Sequence, residues 1–452
     1  MALLSGCVHY AAQPVLPTTI ATAQAAREID NVAIGAELTR IAPGIHFDPA
    51  RWNRLTLFAA IIIGNPDVLA ARKALTTATA AARSARSPAT GPTLTLTSEY
   101  AGAAPDPSPW LFGGAIDVPI DRGGRRAARL DNADLAVEIA RYDYVETIWT
   151  ARMAVVRALA AHFVADRQLA VLDNLLALRQ RHFDAMSRRV EAGEASRTEL
   201  ERVRADLSDA LRRRDGARVQ GDAEIAKIAT LVGLPAVALA GVTFEWTGFD
   251  TAVPIPPLNA SARIGAIVGR ADILKGMAAY DQSEADLRGE VAKQFPAISI
   301  APGYTWERGL VKLPLSVGLA LPPLDLNRRA ITAAEARRSE AGARIEALVA
   351  SAGGAIDMAA REAEAARAAL AAVHNGELVI ARRLANHADA ELTSGAIDRT
   401  DWAAAQGGLA AARLSELDAL ARVHAADAAL DDALRRPQEG PETMIINRTP
   451  GP

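Results

Sequence analysis

Few side chains in this chain have the type and spacing to do chemistry. The single cysteine of 452 residues is Cys7, in the context Leu4-Ser5-Gly6-Cys7. Small residues after a leucine, directly before a cysteine, read as a lipobox. There the thiol takes a diacylglycerol and the cysteine becomes the mature N-terminus. The basic and most of the apolar part of a secretory signal are missing ahead of it. Val8, rather than Asp, follows the cysteine, which in bacterial lipoproteins generally favours the outer membrane. One cysteine excludes a disulfide within the chain. His182, His374, His387 and His424 fall singly on helical stretches. None has a His or Cys four residues away, so they read as surface or packing residues rather than metal ligands. Asp131 and Asp134 share a helix face without a cleft. Arginines from Arg179 to Arg218 alternate with Asp184, Glu191, Glu194, Glu199, Glu201, Asp206, Asp209 and Asp215, a solvated face with i,i+3 and i,i+4 pairs. There is no Gly-rich phosphate loop and no nucleophile paired with a base. These residues make no case for an enzyme or a cofactor, and a net charge of −3 makes none for nucleic acid binding.

The elements are more telling than the single residues. Gly124 to Glu191 and Asn327 to Glu391 lack proline and are dense in Ala, Leu, Arg and Glu, which lose little rotamer freedom in a helix. At about 1.5 Å per residue each is a rod of roughly 100 Å, too long to curl around one core. Half of the chain is apolar but only 4% is aromatic, a composition suited to helices packed closely along their length. No apolar run reaches the 18 residues of a membrane-spanning helix.

In order, the sequence predicts a tether over 1–19 and N-terminal helices over 20–64, one of them from Ile20 to Ala42 and another from Trp52 to Ile63. A first unit follows over 65–235. Asn65 caps a helix begun by Pro66; a β-hairpin covers 92–120, a long helix 124–191 and a return helix 196–232. Gly193 can take the positive φ that stops the rod, and Ser196 with Glu199 fits a capping box. A proline-rich linker covers 236–260. The second unit, 261–436, has a helix, a hairpin over 296–322 with Val311 to Pro322 as its cleanest strand, a long helix 327–391 and a return helix 396–436. Residues 437–452 read as a tail. Asp272 follows Asp67 by 205 residues, Pro296 follows Pro92 by 204, Asp325 follows Asp121 by 204 and Gly395 follows Gly193 by 202. A nearly constant offset marks a tandem duplication.

The strands carry one apolar and one small or polar face: Leu313, Leu315, Val317, Leu319 and Leu321 against Pro314, Ser316, Gly318 and Ala320. Ten tilted residues span a bilayer's apolar core. Four strands cannot close a barrel, and open edges in lipid leave backbone groups unpaired. Several chains must then share one barrel, with Trp110 and Trp306 suited to its interfacial belt. Helix 65–88 and the return helix, stacked end to end, match the rod in length.

The Cys7 lipobox and tether, Asn65-Pro66-Asp67, the duplication, the junctions at Pro119 and Pro323, Asp121-Arg122-Gly123-Gly124-Arg125-Arg126 and the two Gly-centred turns together resemble a TolC-type outer-membrane efflux channel from Cys7 to about Arg436. The Gly-Gly-Arg-Arg-Ala-Ala-Arg junction also resembles the metal-efflux branch. The resemblance implies an α+β membrane protein: a long α-helical barrel, with four β-strands per protomer in a shared 12-stranded trimeric barrel. It implies a passive exit duct for drugs, metals or other small molecules. Its partners would be the other two copies of a homotrimer, outer-membrane lipid, a periplasmic adaptor docking at Gly193 and Gly395, and an inner-membrane pump of the resistance-nodulation-division type. It places the closed aperture at those turns. Asp401 and Ala404 match the family's two acidic rings, so one ring persists and the other is lost. Thr198-Glu199 matches its Thr–acid lock. Ile397 and Leu392 replace the Arg and Tyr of the other lock, for which Arg399 or Arg197 could substitute. On the bland alternative, Asp401 only caps the return helix. The rival to a channel is a soluble periplasmic or cytoplasmic coiled-coil scaffold or adaptor, which gains nothing from four strands with a lipophilic face.

Overall fold

The computed structural model describes residues 10–87, 91–100, 102, 108–120, 124–252, 254, 259–307 and 309–443. Cys7, Asp121-Arg122-Gly123 and residues 444–452 lie outside the described residues. Helix α5, Arg125–Glu191, is 67 residues long. Its counterpart is α9, Arg328–Ala372, continued by a π-turn, Val373–Glu377, into α10, Leu378–Ser394. The π-turn was not foreseen; it admits one extra residue at His374-Asn375-Gly376 without ending the rod.

The shorter helices pack alongside. Helices α4 (Pro66–Ala85) and α6 (Arg197–Leu231) both lie on α5, as do α8 (Ala271–Ala292) and α11 (Arg399–Leu434). Cross-links place them in series. Arg72 on α4 meets Tyr144 at 3.1 Å, whereas Arg214 on α6 meets Asp173 at 2.9 Å. Lys275 on α8 reaches Asp143 at 2.6 Å, whereas Gln168 reaches Asp418 on α11 at 2.8 Å. Helix α9 lies in turn on α8 and α11, and α10 on α11. Alanines at the seams, such as Ala352, Ala359, Ala363, Ala366 and Ala426, let the axes approach closely. Within α5 one 18-residue window, interrupted by charged residues, is apolar enough on average to cross a membrane, but half of it is buried against its neighbours. That marks a core helix.

Four strand positions form one sheet. β2 (Thr93–Tyr100) pairs with β3 (Trp110–Ile120), and β3 with β5 (Ala297–Glu307), all antiparallel. The fourth position, expected as one strand, is split into β6 (Leu310–Lys312) and β7 (Leu315–Ala320), both pairing with β5. Pro314 at the break has no N–H to give the ladder; its carbonyl accepts from the Gly303 amide at 2.8 Å. The register puts Leu94 opposite Ile116, Phe112 opposite Trp306, Val118 opposite Ile300 and Ile300 opposite Val317. The other face carries Thr95 opposite Ala115, Gly113 opposite Thr305 and Ser299 opposite Gly318. The apolar face is bare within the protomer: Leu96 is 76% exposed and Leu315 70%. Trp110, Phe112 and Trp306 stack along it at centroid spacings of 5.7 and 6.3 Å.

Four other sequence expectations need correction. The first helix is two, α1 (Pro17–Ala25) and α2 (Asn31–Ile41), because Asp30 caps a new start by accepting from the Ala33 amide at 2.9 Å. Helix α1 thus begins inside the segment read as an extended tether, with Pro17 at its first position. Residues 236–260 are more than a linker. Thr243–Phe244 (β4) pairs in parallel with Arg51–Trp52 (β1), and Phe249 is buried. This seals a core of Trp52 on β1 and Leu55, Leu57 and Ile61 on α3 (Arg54–Gly64) with Leu159 and Ile228. Finally, 437–443 is not a loose tail: Glu442 is 3% exposed.

Candidate functional site

Both rods end in the same backbone device. At the first turn the Gly193 amide donates to Val190 O at 3.0 Å and the Glu194 amide to Arg189 O at 2.8 Å. At the second, Gly395 donates to Leu392 O at 3.1 Å and Ala396 to Glu391 O at 2.8 Å. Each is a Schellman motif, which needs a left-handed residue to turn the last carbonyls inward. Glycine supplies it, with φ of +77° at Gly193 and +75° at Gly395.

The return helices start three residues later with different caps. Ser196 Oγ accepts from the Glu199 amide, and Glu199 Oε2 accepts from the Ser196 amide, each at 3.1 Å. Glu199 is therefore held in a capping box. In the second unit Asp398 does this work alone, accepting from the Thr400 amide at 2.7 Å and the Asp401 amide at 3.0 Å. The alternative that Asp401 caps α11 is thus corrected: the cap is Asp398. The Asp401 amide holds the Asp398 carboxyl below its ordinary range, helped against partial burial by Thr400 and by Arg189 from the first turn. Arg189 acting on Asp398 also places the two turns at one end of the bundle.

Arg197, Thr198 and Glu199 recur as Arg399, Thr400 and Asp401, each 202 positions on, and all six are exposed. Among the described residues, the side chains of Arg197, Thr198, Arg399 and Asp401 make no hydrogen bond or ion pair. Asp401 thus presents a solvated carboxylate one turn from the tip. Ile397 and Leu392 are half-buried.

At the upper junctions, Pro119 lies within β3 opposite Ser299. Pro323 precedes a turn in which its carbonyl accepts from the Leu326 amide at 2.8 Å. Asn327 and Gly124, the residues before the rods, both take left-handed backbone, with φ of +59° and +84°. Asn327 also donates to the Glu290 side chain and carbonyl, each at 2.9 Å.

Sequence reasoning missed several residues around the tip. Asp389 on α10 accepts from Trp402 Nε1 at 2.6 Å and Gln406 Nε2 at 2.9 Å, clamping α11 to α10. Arg179 on α5 pairs with Asp206 on α6 at 3.2 Å. A Cβ at Gly407 would sit 2.9 Å from its Nη2, so that glycine admits the guanidinium. The spacing of Trp402 and Gln406, i and i+4 on one helix face, was the available signal. His182 is buried with neither ring nitrogen bonded, and burial followed by Arg179 lowers its pKa. His424 is also buried, stacked on Phe249 with Nε2 2.8 Å from its carbonyl oxygen. Among the described residues no group of three or more His, Cys, Asp or Glu is placed to hold a metal ion.

No curated protein sequence matches the chain. Solved structures do. VceC, the outer membrane protein of Vibrio cholerae, superposes with TM-score 0.70 at 17% identity, covering 85% of this chain and 97% of VceC. The outer-membrane channel OprN gives 0.70 at 18% identity over 91% of this chain and 93% of its own. The open-state MtrE outer membrane channel of Neisseria gonorrhoeae gives 0.69 at 16% over 84% and 88%. At such identities these likenesses establish the fold. The sequence model of outer membrane efflux proteins matches residues 57–234 and 265–434, one stretch in each unit. With both halves of the duplication inside that match, the chain belongs to the outer membrane efflux protein family.

Proposed function

We propose that this efflux channel protein works as a homotrimer, the passive exit duct of a tripartite pump for drugs, metals or other small molecules. One observation carries the reading: a two-faced sheet, four strands wide, with an exposed aliphatic and aromatic face and unpaired edges at β2 and at β6–β7. In water such edges and such a face invite aggregation. Three copies supply twelve strands, which closes a transmembrane barrel with the apolar face to lipid and the small, polar face to the lumen. The helices continue it into the periplasm. The turns at Gly193 and Gly395 form the far end and dock a periplasmic adaptor that links to an inner-membrane pump of the resistance-nodulation-division type. Cys7 carries a lipid anchor in the outer membrane.

At the aperture, Asp401 forms a ring of three carboxylates that attracts cations and repels itself when closed. Arg399 or Arg197 takes the place of the lock lost at Ile397 and Leu392, and Thr198-Glu199 keeps the Thr–acid lock after the first turn. Single-channel recording of Asp401→Arg tests this. Loss of cation preference is expected; an unchanged conductance and selectivity removes Asp401 from the aperture. Membrane fractionation tests the channel against the scaffold, which would be released without detergent.

A further inference from the structure

Away from the aperture, at the other end of α11, five ionisable side chains from four parts of the chain meet in a largely buried cluster. Arg54 comes from α3, Arg152 from α5, Asp431 from α11, and Glu439 and Glu442 from the segment after it. Arg54, Arg152, Asp431 and Glu442 are 7%, 3%, 6% and 3% exposed. Glu442 bridges the two arginines: Oε1 lies 3.3 Å from Arg152 Nη2 and Oε2 3.4 Å from Arg54 Nε. Asp431 Oδ2 is 3.8 Å from Arg152 Nη2, and its Oδ1 accepts from the Gln438 amide at 2.8 Å. Glu439 is 3.7 Å from Arg54 Nη1. The guanidiniums stack on tryptophans, Arg54 over Trp246 at 4.5 Å and Arg152 over Trp149 at 4.9 Å. Gly440 presses on Arg54 so closely that a Cβ there would fall 1.4 Å from Arg54 Nη2, and its φ is +89°.

The cluster holds two cations and three carboxylates. One net negative charge in a site shielded from water is costly, and one proton removes it. We propose that residues 436–443 are a latch fastening α11 to α3 and α5, and that Asp431 takes up one proton that tightens the latch as the surroundings acidify. A proton on Asp431 gives up only the long 3.8 Å approach to Arg152: Arg152 keeps Glu442, and Arg54 keeps Glu442 and Glu439. Burial, with the neighbouring Glu442 charge, pushes Asp431 up to about 7 against the pull of Gln438, Arg152 and Arg54. The sign follows. A carboxyl raised in the closed form binds its proton there and not when released, so closure strengthens as pH falls through 7 and weakens above it. Two further groups face the cluster from α11. Asp427 pairs with Arg367 of α9 at 2.7 Å. His424, whose pKa burial lowers, acts in the opposite sense, because a released ring would gain a proton in acid.

Helix α11 runs unbroken from this latch to the cap at Asp398, so the latch restrains the helix that carries the aperture turn. Hydrogen exchange of 436–443 in the full-length protein in detergent, corrected for intrinsic rate, tests the proposal. The opening constant is expected to fall about tenfold from pH 8 to pH 6, the factor for one proton on a group titrating near 7. Asp431→Asn should abolish that difference and protect the segment at pH 8 as wild type does at pH 6. Gly440→Ala, which lifts the segment without changing charge, should expose it at both values. Equal wild-type protection at pH 6 and pH 8 overturns the latch even if no variant folds. So does an Asp431→Asn protein that keeps the wild-type difference.

Discussion

The two units share one plan but fasten it with different chemistry. In the first, the return helix ends at Gly233, left-handed at φ +75°, and the Asn65 side chain donates to the Leu231 carbonyl at 2.7 Å. In the second the corresponding positions, 202 and 205 residues on, are Arg435, left-handed at φ +50°, and Arg270, which donates to the Ala433 carbonyl at 2.5 Å. A glycine and an amide have become two arginines. Arg435 pairs with Glu146 and Asp432, and Arg270 forks onto Asp272 at 2.7 and 2.9 Å. The cores differ in the same direction. Trp52, Leu55, Leu57 and Ile61, from the N-terminal region ahead of it, pack into the first, whereas alanines fill most of the second. Among the described residues the carboxyls with displaced pKa values, Asp272, Glu290, Asp398, Asp427 and Asp431, all belong to the second unit. A duplicated fold therefore keeps its backbone geometry at these junctions while one copy fastens them with a glycine and an amide and the other with two arginines and their carboxylates.

The largest test of this contrast is at the left-handed positions. In Gly233→Ala a Cβ would fall 2.0 Å from the Gly64 carbonyl oxygen. Overlap and left-handed strain together should cost about 3 kcal/mol or more in thermal unfolding. Arg435→Gly removes strain and partly exposed ion pairs together, so it should stay within about 1 kcal/mol. Equal effects would mean the two turns are fastened alike.

The helix starts give a smaller effect. Asn65→Ala loses a cap and should cost about 1–2 kcal/mol. Arg270→Ala deprives Asp272, which burial pushes up, of the hydrogen bonds and charge that do most to bring it below the usual range, with smaller help from Arg435 and the Ile273 amide. It should cost about 2–3 kcal/mol at neutral pH. Its deficit should shrink in acid as Asp272 takes a proton, whereas that of Asn65→Ala should not change.

The smallest effect concerns acid in the wild type. Asp272, Glu290 and Asp398 have depressed pKa values in the folded chain. Glu290 owes this first to Lys293 and then to Asn327. Their stabilisation is complete above about pH 4, the ordinary carboxylate value, and is lost as pH falls below it. Pulsed hydrogen exchange after equilibration at pH 3–5 should show the segments around Asp272, Glu290 and Asp398 loosening before 57–234. The reverse order would break the comparison.

Much of the fold is legible in the sequence because it depends on periods and on interactions a few residues apart. The rods follow from long proline-free runs, the Gly193 and Gly395 turns from the need for positive φ, and the strands from a period of two. Even here local rules can fail where a distant partner decides. Pro314 breaks a strand with clean alternation, since the ladder needs its missing N–H. Asp398 takes the capping role considered for Asp401, because it alone stands where its side chain meets two free amides.

By itself the sequence determined the duplication, the helical rods, the two-faced strands and the positions of Arg197, Thr198, Glu199, Arg399 and Asp401 beside the turns. These depend on backbone propensity and spacing, which act locally. Only the tertiary structure decided that Asp389 clamps Trp402, that the segment over 236–260 completes a core, and that Glu442 sits between Arg54 and Arg152. The last contact joins residues almost 400 positions apart; its energy comes from burial, which no local pattern encodes.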